Sequence, residues 1–259
     1  MDVGLAQTGV LCACATLAGG VDAVVGGGGL VQLPALLVVL PHAPVVSLLG
    51  TNKLSSIVGT SSAAATYLRR TRVDVGTATA MALAAFVGSG AGALCATLLT
   101  SAVLEPVVLV ALLVVLAYTV RRPSLGGAER LRLSPPAQRA VALAGGSVIG
   151  FYDGIAGPGT GSFLVFLLVG VVGLSFLHAS ATSKIVNAST NLAALLLFAS
   201  RGSVLWELGA AMSVCNLAGA QVGTRIAVHG GSVLVRRVFL VVVTVLVARL
   251  AYDVVGSRL

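Results

Sequence analysis

Two lysines, each inside a long apolar stretch, constrain this chain more than any other feature. Lys53 and Lys184 are the only lysines among 259 residues, and they lie 131 positions apart. A lysine at the centre of a membrane-spanning helix costs about 2.5–3.5 kcal/mol on insertion scales. A fold that buries both cations therefore has to supply an anionic partner for each of them, or use them for a function.

The same 131-residue step relates other residues without a gap. It carries Asp22 onto Asp153 and Thr51 onto Thr182. The further matched pairs are Gly26 with Gly157, Gly28 with Gly159, Arg70 with Arg201, Gly88 with Gly219, and Gly92 with Gly223. This pattern indicates an internal duplication that repeats an acidic residue, a glycine cluster and a buried cation, which is typical of a transporter.

The composition indicates a membrane protein. The chain is 57% hydrophobic and only 9% charged, whereas soluble domains carry about 25% charged residues. Its net charge of +8 comes from arginines in short loops, which we interpret as topology signals facing anionic lipid and not as a nucleic-acid surface. The apolar runs are too long for strands and lack polar alternation, so we predict an all-α, polytopic transmembrane bundle.

The apolar runs predict two homologous repeats with eight to ten membrane segments. Residues 1–121 form the first repeat, residues 122–139 a cytoplasmic linker, and residues 140–259 the second repeat. The first repeat has runs at Gly4–Val25, Leu30–Leu40, Val45–Leu68, Val75–Leu99 and Val103–Val120. The second has runs at Val141–Ile155, Ser162–Leu177, Ala181–Ser200, Val204–Ala227 and Val233–Val255. The glycine clusters predict broken helices or re-entrant hairpins near the start of each repeat.

The arginines predict an orientation in the cell membrane. Arg69, Arg70 and Arg72 follow one segment, and a second arginine group follows two segments later, so both groups lie on one side, expected to be cytoplasmic. An odd number of crossings per repeat makes the repeats inverted, which puts Arg225 inside and Arg201 outside. The arginine distribution favours this inverted arrangement over an even number of crossings.

Charge and broken helices together predict an anion site near the membrane midplane. Each glycine cluster leaves a helix start whose free N–H groups and positive dipole end favour an anion, which selects Gly28, Gly159 and Thr160 as candidates. Two interpretations of the lysines stay open. They either form ion pairs with Asp22 or Asp153 that fix helix packing, or attract an anionic substrate.

Polar residues on the lysine faces extend the candidate site. Lys53 shares a helix face with Ser56 and Thr60, and Lys184 shares one with Asn187 and Asn191. Asn52 and Ser183 directly precede the two lysines. Hydroxyl and amide donors beside a cation suit an oxyanion, although interhelical hydrogen bonding is an alternative role. The Gly-x-x-x-Gly pairs at Gly88 and Gly219 predict close helix packing.

No cofactor or metal site is expected. The four cysteines include no C-x-x-C spacing, and the three histidines are isolated. No ATP-binding motif is present, so a gradient would have to drive any transport.

Four motifs resemble the TauE/SafE-type sulfite exporter family over nearly the whole chain. They are Gly26-Gly27-Gly28-Gly29-Leu30-Val31-Gln32-Leu33-Pro34-Ala35-Leu36, Gly50-Thr51-Asn52-Lys53-Leu54, Gly150-Phe151-Tyr152-Asp153-Gly154-Ile155-Ala156-Gly157-Pro158-Gly159-Thr160-Gly161, and Ala181-Thr182-Ser183-Lys184-Ile185-Val186-Asn187. The resemblance implies transport of small sulfur-containing anions such as sulfite, thiosulfate or organosulfonates.

The sequence thus predicts a secondary transporter of a small anion, with Asp22 and Asp153 as counter-ions or proton sites. An anion channel is one alternative. A polytopic membrane enzyme is another, although no intramembrane metal cluster stands out and the adjacent Ser183 and Lys184 point apart on a helix.

Overall fold

The computed structural model of the chain describes residues 3–100 and 131–230, and the regular elements within these ranges are all helical. The prediction of an all-α fold compatible with a membrane bundle is therefore confirmed for these residues. The predicted segments Val103–Val120 and Val233–Val255 lie outside the described residues, as does the linker up to residue 130.

Residues 3–100 form four helices. They are α1 (Leu5–Val25), α2 (Gly29–Val39), α3 (Val45–Arg70) and α4 (Val75–Leu98). Their ends lie within two residues of the predicted segment ends, because glycine, proline and the arginine group mark these ends in the sequence.

Residues 131–230 form four more helices. They are α5 (Pro135–Ile155), α6 (Thr160–Leu167) with a π-helical continuation (Leu168–Val172), α7 (Phe176–Ser200), and α8, which covers residues 206–230. Three of them begin earlier than predicted, α6 by two residues and α5 and α7 by more. Helix α5 starts inside the predicted linker because prolines suit its first turn. Helix α7 starts at Phe176 because the Ser175 hydroxyl accepts a hydrogen bond from the His178 amide at 3.3 Å.

The first two helices of each set form a helical hairpin with glycines at its tip. Gln7 near the start of α1 donates a side-chain hydrogen bond to the Val39 carbonyl at the end of α2, at 3.2 Å. Before α5, Arg132 donates to the Gly170 carbonyl after α6, at 2.6 Å. The chain reverses at Gly26 and Gly157, whose φ angles of 80° and 85° suit glycine alone.

Glycine faces join each hairpin to a helix from the other half of the chain. Helix α4 packs in parallel on α5, and α8 packs in parallel on α1, so closely that a Cβ at the interface glycines would overlap the neighbouring backbone. These contacts are Gly88 with Ser147, Gly92 with Phe151, Gly219 with Thr16, and Gly223 with Gly20. The glycine spacing predicted this close packing.

Helices α3 and α7 run antiparallel through the centre. The Leu205 amide, which follows α7, donates to the Thr51 hydroxyl near the start of α3 at 2.9 Å. One apolar cluster contains Leu48 and Phe198 at this end of the pair, and a second contains Tyr67 and Phe176 at the opposite end. A layer of buried polar side chains therefore lies between two apolar clusters.

By length and composition, two of the described helices could cross a membrane, Leu5–Val24 and Val75–Leu98. Gly29–Val39 and Thr160–Val172 are shorter apolar helices. Helices α3 and α7 have 26 and 25 residues, but the polar residues around Lys53 and Lys184 lower their hydropathy. These polar residues form the candidate site.

Candidate functional site

Lys53 and Asp153 form a buried ion pair. The Lys53 Nζ donates a hydrogen bond to the Asp153 Oδ2 at 2.6 Å, and each residue is only 1% exposed. Lys53 lies in α3, and Asp153 lies in the last turn of α5, just before the hairpin tip. Removing either partner alone would leave an uncompensated charge in a buried site.

Lys184 and Asp22 form a second buried ion pair with looser geometry. The Lys184 Nζ lies 3.0 Å from the Asp22 Oδ2. Within residues 3–100 and 131–230 it has no well-directed hydrogen bond, so the contact is mainly electrostatic. The same carboxylate oxygen accepts a hydrogen bond from the Thr60 hydroxyl at 3.0 Å. Asp22 is thus held by a cation from α7 and a hydroxyl from α3.

The two ion pairs cross between the halves of the chain. Lys53 from the first half binds Asp153 from the second, and Lys184 from the second half binds Asp22 from the first. The 131-residue step converts one pair into the other. The four charges sum to zero, so an anion entering this region has to compete with a carboxylate for a lysine.

A small polar cavity lies beside the ion pairs. Its residues come from both hairpins and from α3 and α7, and each is charged, polar or glycine. They are Asp22, Gly26, Gly29, Asn52, Lys53, Ser56, Asp153, Gly157, Thr160, Gly161, Asn187 and Asn191. The cavity volume of about 20 Å³ has room for about one water molecule. A sulfur oxyanion is larger than this cavity, so the surrounding side chains have to move to admit one.

The hairpin tips meet at this cavity. The backbone of Gly26 packs against that of Gly161, and Gly29 packs against Pro158. The first turns of α2 and α6 consequently reach the cavity, where their amide groups and positive dipole ends favour negative charge. No side chain larger than hydrogen fits at the Gly26 contact.

The cavity brings together most of the residues selected from the sequence. It is lined by Asp22, Asn52, Lys53, Ser56, Asp153, Thr160, Asn187 and Asn191. Thr60 and Lys184 do not line it but contact Asp22, which does.

Three further predicted substrate-binding residues do not line the cavity. Gly28 packs against the Ala18 carbonyl and Asp22. Gly159 caps α6 with φ of 80°, and the Ser183 hydroxyl donates to the Ser180 carbonyl at 2.9 Å. These residues shape the hairpin tip and the start of α7, because their polar or backbone groups are used locally.

A buried amide network beside the cavity was not predicted. Gln32 is fully buried and makes hydrogen bonds to Asn52, Ser55 and Asn216. The candidate residues around the two lysines were those with a polar counterpart 131 positions away, whereas the counterpart of Gln32 is Phe163. A glutamine and an asparagine inside apolar runs were the available signal, because buried amides require hydrogen-bond partners.

Comparison with known proteins gives a match over nearly the whole chain. A family model described as sulfite exporter TauE/SafE matches residues 11–250. No solved structure gives a significant match.

Similar curated proteins are all named as probable membrane transporter proteins. The protein ORF9 of Sinorhizobium sp. is 35% identical over 243 residues, which cover 94% of this chain and 92% of that protein. YfcA of Escherichia coli K12 is 35% identical over 251 residues, covering 97% and 92%. A protein of Haemophilus influenzae is 32% identical over 254 residues, covering 98% of each.

Proposed function

Because the chain belongs to the sulfite exporter TauE/SafE family, we propose that it is a multi-pass secondary transporter of a small anion in the cell membrane. Sulfite and thiosulfate are the first candidate substrates, followed by organosulfonates, since the family description names sulfite. The names of the relatives support transport without specifying a substrate.

The crossed ion pairs carry this proposal. Intramembrane charges usually mark a substrate or ion pathway. Here Lys53, Asp22 and Asp153 line one polar cavity, and Lys184 is paired with Asp22 beside it. Lysine supplies positive charge, and Ser56, Asn187 and Asn191 supply hydrogen-bond donors, which together suit an anion with several oxygen acceptors.

The small volume of the cavity supports exchange of ion-pair partners during transport. A sulfite ion is larger than the single water that the cavity can hold. An entering anion therefore separates the lysine and aspartate, and takes the place of a carboxylate beside Lys53 or Lys184. The displaced Asp22 or Asp153 is then a buried carboxylate that has lost its cation, which is unfavourable until another positive charge compensates it; a coupled ion would supply that charge.

Two inverted repeats, within residues 1–121 and 140–259, fit this mechanism. Supporting observations are the helix starts, which recur near the 131-residue step, and the antiparallel packing of α3 and α7. Inverted repeats place a substrate site at their interface near the midplane, where the two halves gate it alternately.

The charge distribution supports a cytoplasmic location for the C-terminal end of α3 and the N-terminal end of α5. Arg69 and Arg70 end α3, and the positive charge of Arg139 acts on the carboxyl group of Asp74 at the start of α4. Arg201 follows α7 at the opposite end. The side richer in arginine faces the cytoplasm by the positive-inside rule.

Flux of radiolabelled sulfite and thiosulfate into proteoliposomes, under imposed pH and potential gradients, tests the proposal. We expect saturable flux in the wild type and loss of flux in Lys53→Ala. Arg201→Ala is the matched control, because it removes an exposed cation outside the cavity. Unchanged flux in Lys53→Ala would exclude the proposed site. Counterflow distinguishes a carrier from a channel, because a carrier exchanges labelled for unlabelled anion.

A further inference from the structure

We propose that Gln32 is a positioning residue that fixes the side-chain amide of Asn52 as a hydrogen-bond donor to the transported anion. The inference rests on the proposed function and assigns roles to Gln32 and Asn216, which lie outside the duplicated pattern. It makes the binding site chemically asymmetric, although the ion pairs on its two sides are matched.

A backbone carbonyl determines the orientation of the Gln32 amide. The Gln32 Nε2 donates to the Asn52 main-chain oxygen at 3.3 Å, and a carbonyl oxygen can only accept. The Gln32 Oε1 therefore points the other way, where it accepts from the Ser55 hydroxyl at 3.2 Å and the Asn216 Nδ2 at 3.1 Å. Both oxygen and nitrogen of this buried amide are used, so it cannot turn over without losing these bonds.

The orientation of Gln32 in turn determines that of Asn52. The Gln32 Nε2 lies 2.8 Å from the side-chain oxygen of Asn52. The opposite orientation would place two amino groups against each other, which cannot form a hydrogen bond. The amino group of Asn52 is thus the part turned away from Gln32, and Asn52 lines the cavity next to Lys53.

A fixed amide donor adds direction to a site otherwise dominated by charge. The lysine ammonium acts as a point charge on a flexible stem, whereas an amide N–H binds best when an acceptor atom lies on its axis. The 131-residue step carries Asn52 onto Ser183, Gln32 onto Phe163, and Ala85 onto Asn216. The second half therefore has no equivalent relay, and an oxyanion is oriented from the Asn52 side.

Anion binding to the full-length protein in detergent tests this role, with sulfite, thiosulfate and sulfate as probes. We expect Gln32→Met to raise the Kd of the tightest probe about tenfold, because a hydrogen bond to a charged group is lost or misdirected. Asn216→Ser should cause a smaller rise, and it serves as the milder variant if Gln32→Met folds poorly. Gln138→Met is the matched control, because in the described part of the chain this side-chain amide donates to the Leu133 carbonyl just before α5, away from the cavity. Its Kd should stay at the wild-type value.

A double-mutant cycle separates positioning from general destabilisation. If Gln32 acts through Asn52, the double variant Gln32→Met/Asn52→Ala binds no more weakly than Asn52→Ala alone. Additive effects, or an unchanged Kd in folded Gln32→Met, would overturn the relay and leave the proposed transport function intact. Absence of binding of every probe to the wild type would overturn both proposals.

Discussion

Removing the buried charges of Lys53 and Asp153 by substitution, first one and then both, distinguishes an ion pair that stabilises the fold from one that serves transport. The two charges are 2.6 Å apart and both are buried. At an effective dielectric constant of about 20, their attraction is about 6 kcal/mol, but the loss of hydration on burial offsets much of it. Removing the pair as a unit therefore changes the stability little, whereas removing one charge leaves the other unpaired.

The single variant Lys53→Met should lose about 3–5 kcal/mol of stability. In a chain of this length, that corresponds to a fall in melting temperature of roughly 6–20 °C. The double variant Lys53→Met/Asp153→Asn should recover most of this loss, because no unpaired charge remains. It should still be inactive, because the cation that attracts the anion is absent.

Melting of the purified protein, followed by gel filtration after heating, gives the stability, and proteoliposome flux gives the activity. Asp153→Asn alone completes the cycle. Recovery of both stability and flux in the double variant would refute the reasoning, because the pair would then serve packing alone. Wild-type stability in Lys53→Met would instead refute the ion pair itself.

Two further predictions concern helix ends and helix interfaces. Asp74→Ala should cost about 1 kcal/mol, because the Asp74 carboxylate caps α4. Hydrogen bonds from Thr77 lower the pKa of Asp74. The contribution of Asp74 to folding stability is therefore present above the unfolded pKa of about 3.9 and is lost as the pH falls through the folded pKa. The melting temperatures of wild type and variant should converge in acid, and a difference that stays constant with pH would contradict this. Gly219→Ala should sharply reduce the yield of folded protein, because its Cβ would overlap the backbone of α1. Gly90→Ala is the control and should fold normally, because beyond the adjoining turns of its own helix no atom of the described residues lies within 4 Å of a Cβ at this position. Equal yields by fluorescence-detected gel filtration would contradict the close α1–α8 contact.

The sequence predicted the helix bounds and the candidate residues better than it predicted which of these residues contact one another. Glycine clusters, prolines and the lysine-centred polar faces mark helix ends and faces locally, so the bounds of α3 and the selection of Lys53 followed directly. The sequence left either Asp22 or Asp153 as a partner for each lysine, because spacing along the chain does not say which hairpin tip reaches which central helix. Only the fold establishes that the pairs cross between the halves.

The amide network was beyond the reach of matched spacing for a different reason. Neither Gln32 nor Asn216 has a residue of its own type one 131-residue step away. The two side chains meet through the packing of α2 and α8. A buried side-chain amide requires hydrogen-bond partners, but the sequence does not show which residues provide them.

The glycine interfaces pack each hairpin tightly against a helix that belongs to the other half of the chain. Helix α1 of the first hairpin is fastened to α8, and α5 of the second hairpin is fastened to α4. Separating the two halves would therefore expose the glycine faces of both interfaces and leave all four charges of the two ion pairs without their partners. Any movement of one half against the other therefore has to keep α1 packed on α8 and α4 packed on α5, or open the glycine contacts that join them.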